Sequence, residues 1–125
     1  MSHILLVALG GGLGASARYL TNLAAMRLAG PNFPWGTLTV NIVGSFLMGV
    51  LIETLARRME TSVELRSFLA TGFLGGFTTF SAFSLDFAVM WERGSLWTGA
   101  AYLGATVLLS ILALFAGLAL VRAIP

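Results

Sequence analysis

The sequence predicts an all-α membrane protein of four transmembrane helices, with the third helix broken near its centre. Three observations carry this. Of the 125 residues, 58% are hydrophobic and only 10% are charged, against about a quarter charged in a soluble domain. The charges are also bunched: 28–52, 67–85 and 94–121 contain none, and Met1 to Ala17 contains only His3. A bilayer core needs roughly 20 apolar residues of helix, and four such windows use up nearly the whole chain, which reads as one transmembrane domain, 1–125.

Helix one is expected over 4–28, closed by Gly30-Pro31, a pair that breaks helices. The apolar link Phe33-Pro34-Trp35 follows, with Trp35 suited to the membrane interface. Helix two is expected over 36–57. The segment 57–66 holds five charged residues, Arg57, Arg58, Glu60, Glu64 and Arg66, and is aqueous. Helix three is expected over 63–91, Glu92-Arg93-Gly94 makes the next turn, and helix four is expected over 96–122. The first stretch lacks a basic segment before its apolar run and reads as a membrane helix, not a removable signal.

Helix three is unusual. Residues 71–84 read TGFLGGFTTFSAFS, which sets adjacent glycines and a hydroxyl cluster at membrane depth. Gly costs about 1 kcal/mol in a helix interior relative to Ala. Non-helical backbone in a bilayer survives only inside protein or against a water-filled cavity. A break near Gly75–Ser81, buried in an oligomer, is therefore predicted. Close helix contact is written into Gly10/Gly14, Gly72/Gly76, Ser45/Gly49 and Ala113/Gly117, which are small residues four apart.

The arginines bear on topology. Arg57, Arg58, Arg66 and Arg122 fall on one side of the membrane, Arg27 and Arg93 on the other. Loop arginines set orientation, and so small a bias permits insertion in both directions. An antiparallel homodimer is compatible with that. The pI near 9.9 arises from a net charge of only +2. The basic residues are scattered, not gathered into the patch that a polyanion requires, so nucleic acid is excluded as a partner.

Few residues are equipped for chemistry. Gly10-x-Gly12-x-x-Ala15 mimics a dinucleotide fingerprint but lacks the strand and the acidic residue about 20 positions on. Asn41 lies mid-helix, where an amide in lipid needs a partner. It fits either an interhelical hydrogen bond or a polar path shared with Thr37, four residues before it. Phe80 and Phe83 also share a face. Alone they would read as core, but they follow the predicted break and alternate with Ser81 and Ser84. Phenyl edges carry positive charge and hold an anion loosely enough to release it. Arg18 sits roughly 15 Å inside the end of helix one; it either snorkels or draws anions into an aqueous vestibule. No acid lies in the cores of helices one, two or four, there is no cysteine, and no catalytic or metal-ligand cluster is visible. Enzyme chemistry has nothing to run it.

The segments GGGLGASARY (10–19), GTLTVNIVGSFLMG (36–49) and GFLGGFTTFSAF (72–83) closely resemble the Fluc/CrcB fluoride channel family, over the whole chain. The resemblance implies a dual-topology antiparallel homodimer in the cell (inner) membrane that exports fluoride passively through two pores at the dimer interface. It implies Asn41, Phe80, Phe83 and Ser81 as pore residues, with Ser110 of helix four as a partner, and it matches Arg18 to the family's first-motif arginine; the four-residue spacing to Asn41 adds Thr37 to the same path. It further implies a central structural sodium ion, Na+, held by the backbone carbonyls of Gly75 and Thr78. Ala82 departs from the pattern, standing where some relatives carry a hydroxyl. The main rival is a small multidrug-type proton-coupled transporter, which needs a carboxylate in helix one, where this chain has Arg18. A non-transporting scaffold would not need Asn41, Phe80 and Phe83 on coherent faces around a break.

Overall fold

The computed structural model describes residues 2–58 and 62–125. The regular structure of the described residues is all helical, and among them four helical stretches are long and apolar enough to cross a membrane: His3–Ala29, Trp35–Arg58, Val63–Glu92 and Leu96–Arg122. We label α1 (His3–Ala29), α2 (Trp35–Arg58), α3 (Val63–Arg66), α4 (Gly75–Phe77), α5 (Ser81–Glu92) and α6 (Leu96–Arg122), with a π-helical run over Ser67–Leu74 joining α3 to α4.

The ends follow local rules. α1 stops at Gly30, whose φ of 81° suits glycine and whose N–H reaches the Met26 carbonyl at 3.0 Å. α3 starts on Ser62, whose hydroxyl accepts from the Leu65 N–H at 3.1 Å. The third span is broken as the sequence predicts. Thr78 turns extended, with φ −86° and ψ 158°, and helix resumes at Ser81. The eight-residue π run is an addition that helical periodicity did not reveal.

Packing relies on missing side chains more than on a large core. α1 lies along the π run and α4, and α2 lies along α6. A Cβ on Gly14 would strike the Phe73 carbonyl. One on Gly49 would strike the Leu114 carbonyl, and one on Gly117 the Phe46 carbonyl. Such close approach is how helices gain contact in lipid, where burial offers little drive. Among the described residues only Val40 and Tyr102 of the larger side chains are wholly enclosed, while Leu9, Leu13, Leu112, Phe115 and many others stand exposed. That apolar exterior fits lipid as solvent and would be an aggregating surface in water. At the α2–α6 end, Arg57 donates to the Val121 and Ile124 carbonyls, and Arg122 pairs with Glu53 at 2.9 Å.

Candidate functional site

The break exposes backbone groups that lipid cannot satisfy, and side chains from two other helices take them up. Asn41 of α2 donates through Nδ2 to the Thr79 carbonyl at 3.0 Å and accepts the Thr79 N–H on Oδ1 at 2.8 Å. Its amide thus imitates a backbone neighbour. One N–H of the –NH2 group remains beyond that pairing. Arg18 of α1 donates through Nε to the Gly76 carbonyl at 3.1 Å. Thr79 Oγ1 accepts from the Ala82 N–H at 3.1 Å, capping the first turn of α5, and lies 3.3 Å from the Ser81 hydroxyl.

Beside this junction lies a cavity of about 310 Å³ lined by Asn41, Ser45, Thr79, Phe80, Thr106 and Ser110, among others. Its liners include hydroxyls and an amide but no acid or base. Thr106 Oγ1 and Ser110 Oγ are buried with no hydrogen-bond partner. Hydroxyls in helices ordinarily bond the carbonyl one turn back, and in this chain Thr21, Thr54, Thr78 and Ser84 do so. The two cavity hydroxyls of α6 do not, and their donors remain available to an occupant.

An aromatic run leads from the cavity toward the α1–α2 link. Phe80 meets Phe83 edge-on with centroids 5.3 Å apart, Phe83 meets Tyr102 at 5.2 Å, and Tyr102 meets Phe33 at 5.4 Å. The two phenylalanines differ sharply. Phe83 is 3% exposed, packed with Leu38, Met90 and Tyr102, whereas Phe80 is 73% exposed. The Tyr102 hydroxyl donates to Asp86 at 2.9 Å. A second cavity, about 410 Å³, opens there with Thr37, Asn22, Asp86 and Arg93 among its liners.

The sequence-predicted residues are therefore distributed as follows. Asn41, Phe80 and Ser110 meet at one cavity, and Thr37 lines the other, one helical turn from Asn41. Ser81 is exposed beside Thr79, and Phe83 lies inside the aromatic run. Arg18 lines neither cavity and is bonded to the break. Sequence reasoning missed Thr106, Tyr102 and the role of Ser45 as a liner. The signal was present as two stripes at four-residue spacing, Thr37-Asn41-Ser45 on α2 and Tyr102-Thr106-Ser110 on α6.

One expectation is corrected. The sodium ion implied for Gly75 and Thr78 has no support, because among the described residues no His, Cys, Asp or Glu group gathers that could hold a metal. The physical reason lies beside the break. The Arg18 guanidinium, bonded to Gly76, brings a positive charge next to Gly75, where a cation would need negative groups. Gly75 opens α4, and Thr78 is its extended C-cap.

Comparison with known proteins agrees with this architecture. Residues 5–118 match the family described as "CrcB-like protein, Camphor Resistance (CrcB)". The chain is 61% identical over 122 residues to a protein of Agrobacterium fabrum named "Fluoride-specific ion channel FluC", covering 98% of each. It is 58% identical over 125 residues to the protein of that name from Mesorhizobium japonicum, covering 100% of each. It is 59% identical over 122 residues to that of Cereibacter sphaeroides, covering 98% of this chain and 96% of the relative.

Proposed function

The chain belongs to the CrcB/FluC family of fluoride channels, and from that premise we propose that it carries fluoride passively across the cytoplasmic membrane, through two pores at the interface of an antiparallel homodimer. As a member of a channel family it is not an enzyme.

The observation that carries the reading is the cavity holding the partnerless hydroxyls of Thr106 and Ser110, with Asn41 and Phe80 on its wall. Fluoride is a small, strongly hydrated anion, and it gives up water only to hydrogen-bond donors. Hydroxyls and an amide supply donors, while the absence of a lysine or arginine among the liners keeps the anion from being trapped. Conduction needs that balance. The exposed Phe80 ring supplies a positive edge at the surface where a second copy would close the path, and Ser81 stands beside it. Thr37, in the second cavity, would act at the mouth, and Phe83 would back Phe80 from within the aromatic run. A two-fold axis uses each surface patch twice, which yields two pores. The weak arginine bias allows both insertions. A proton-coupled exchanger would need a carboxylate in α1, and α1 contains none.

Fluoride efflux from liposomes containing the purified protein tests this. Fast fluoride loss with chloride retained is the expected result. Equal leakage of both anions, or movement of neither, would overturn the proposal.

A further inference from the structure

We propose that Arg18 is a positioning residue that clamps the helix break from the α1 side, opposite Asn41, and so fixes the orientation of Phe80. The flux part of this proposal rests on the fluoride-channel reading above, and the exchange part does not.

The case begins with unmet carbonyls. A helix ending at Phe77 leaves its last four C=O groups without intrahelical partners, and in lipid each such group is costly. The Leu74 carbonyl is met by the Thr78 N–H at 3.0 Å and the Thr78 hydroxyl at 2.9 Å. The Gly76 carbonyl is met by Arg18 Nε at 3.1 Å. The approach that makes this reach feasible is built from glycine. A Cβ on Gly76 would strike the Gly11 carbonyl and lie 3.2 Å from the Ala15 nitrogen, so α1 passes tightly against the break just before Arg18. A guanidinium at a helix C-terminus is also favoured by the helix dipole. From α2, Asn41 holds both the N–H and the C=O of Thr79. The break is thus held at Gly76 from α1 and at Thr79 from α2, and Phe80 follows at once, its ring turned out of the chain.

The arrangement separates two roles that the sequence leaves open. An arginine that attracts anions acts by charge and should line their path. Arg18 lines neither cavity and has its Nε–H committed to a carbonyl. Two substitutions divide charge from bond. In Arg18→Gln the side-chain nitrogen stands at the same distance along the chain as Arg Nε, so a donor remains and the charge is gone. In Arg18→Lys the charge remains, but a methylene occupies the place of Nε and the ammonium lies one atom further on.

Fluoride and chloride efflux from liposomes should be measured for both variants and the unmodified protein, with amide hydrogen exchange followed over the peptide spanning the break. We expect Arg18→Gln to retain fluoride flux within about threefold, and Arg18→Lys to lose about tenfold, or about 1.4 kcal/mol, and to admit more chloride relative to fluoride. We expect break amides, Thr79 included, to exchange faster in Arg18→Lys than in Arg18→Gln. Arg18→Lys conducting like the unmodified protein while Arg18→Gln fails would make Arg18 an anion-attracting charge and overturn the proposal. Unchanged break exchange in Arg18→Lys would also overturn it. If the unmodified protein moves no fluoride, the functional reading fails, and the exchange comparison still decides the clamp.

Discussion

Replacing Thr106 with valine removes one hydroxyl at nearly constant volume, and the structure gives the effects on flux and stability opposite signs. Thr106 Oγ1 is buried and bonds to no protein atom, so the folded chain loses no hydrogen bond in Thr106→Val. Leaving a buried polar group unsatisfied costs about 1–3 kcal/mol, and its removal should leave stability unchanged or raised. An anion in the cavity loses a donor instead. Hydrogen bonds to charged groups are worth about 1.5–3 kcal/mol, which at 1.36 kcal/mol per tenfold corresponds to a flux loss of at least about tenfold. Ser110→Ala should behave alike. Since both hydroxyls line the same cavity, the double variant should depart from the product of the singles, as neighbours sharing one partner do. Flux is read with a fluoride electrode on liposomes, and stability from thermal unfolding in detergent. A Thr106→Val protein that is destabilised by more than about 1 kcal/mol but conducts normally would show that the hydroxyl serves the fold, and the reasoning would be wrong.

The two phenylalanines should separate in the same assays. Phe80→Ile, at an exposed ring, should slow fluoride flux while folding persists. Phe83→Ile, at a ring in contact with Phe80 and Tyr102, should slow flux and also lower stability by about 1 kcal/mol; normal flux in both refutes their role. Gly49→Ala forces a methyl into the Leu114 carbonyl, and overpacking of this kind costs about 1–3 kcal/mol. A lowered unfolding temperature is the expected reading, and an unchanged one would mean α2 and α6 can part without penalty.

The four spans were legible because lipid imposes a coarse rule, absence of charge over a bilayer's thickness, that needs no knowledge of contacts. The break was legible for a related reason, since Gly75 and Gly76 beside Thr78 and Thr79 are costly in a membrane helix unless something compensates. The compensators could not be assigned from sequence. Arg18 and Asn41 are separated from their partners Gly76 and Thr79 by 58 and 38 residues, and no periodicity links them. The π run over Ser67–Leu74 was equally hidden. Along that run N–H groups bond five residues back instead of four, a difference that the side-chain pattern of an almost uniformly apolar segment does not record.

The polar stripes are only partly legible as spacing. Thr37 and Asn41 were recognised as one face of α2, yet that face runs on to Ser45, and α6 repeats the interval at Tyr102, Thr106 and Ser110. Either stripe alone fits ordinary helix glue, in which a hydroxyl bonds its own helix and is spent. Only the structure distinguishes spent from unspent. Thr54 on α2 closes onto the Val50 carbonyl at 2.7 Å, whereas Thr106 and Ser110 close onto nothing. The polar atoms at the break and the cavity beside it are thus of two kinds. Arg18 Nε and the Asn41–Thr79 pairing are committed to backbone, holding the break in shape, while the α6 hydroxyls are left open beside it. A conducting path needs both, because donors that the fold has already claimed cannot be offered to an ion, and open donors on an unbraced break would be drawn into satisfying its carbonyls.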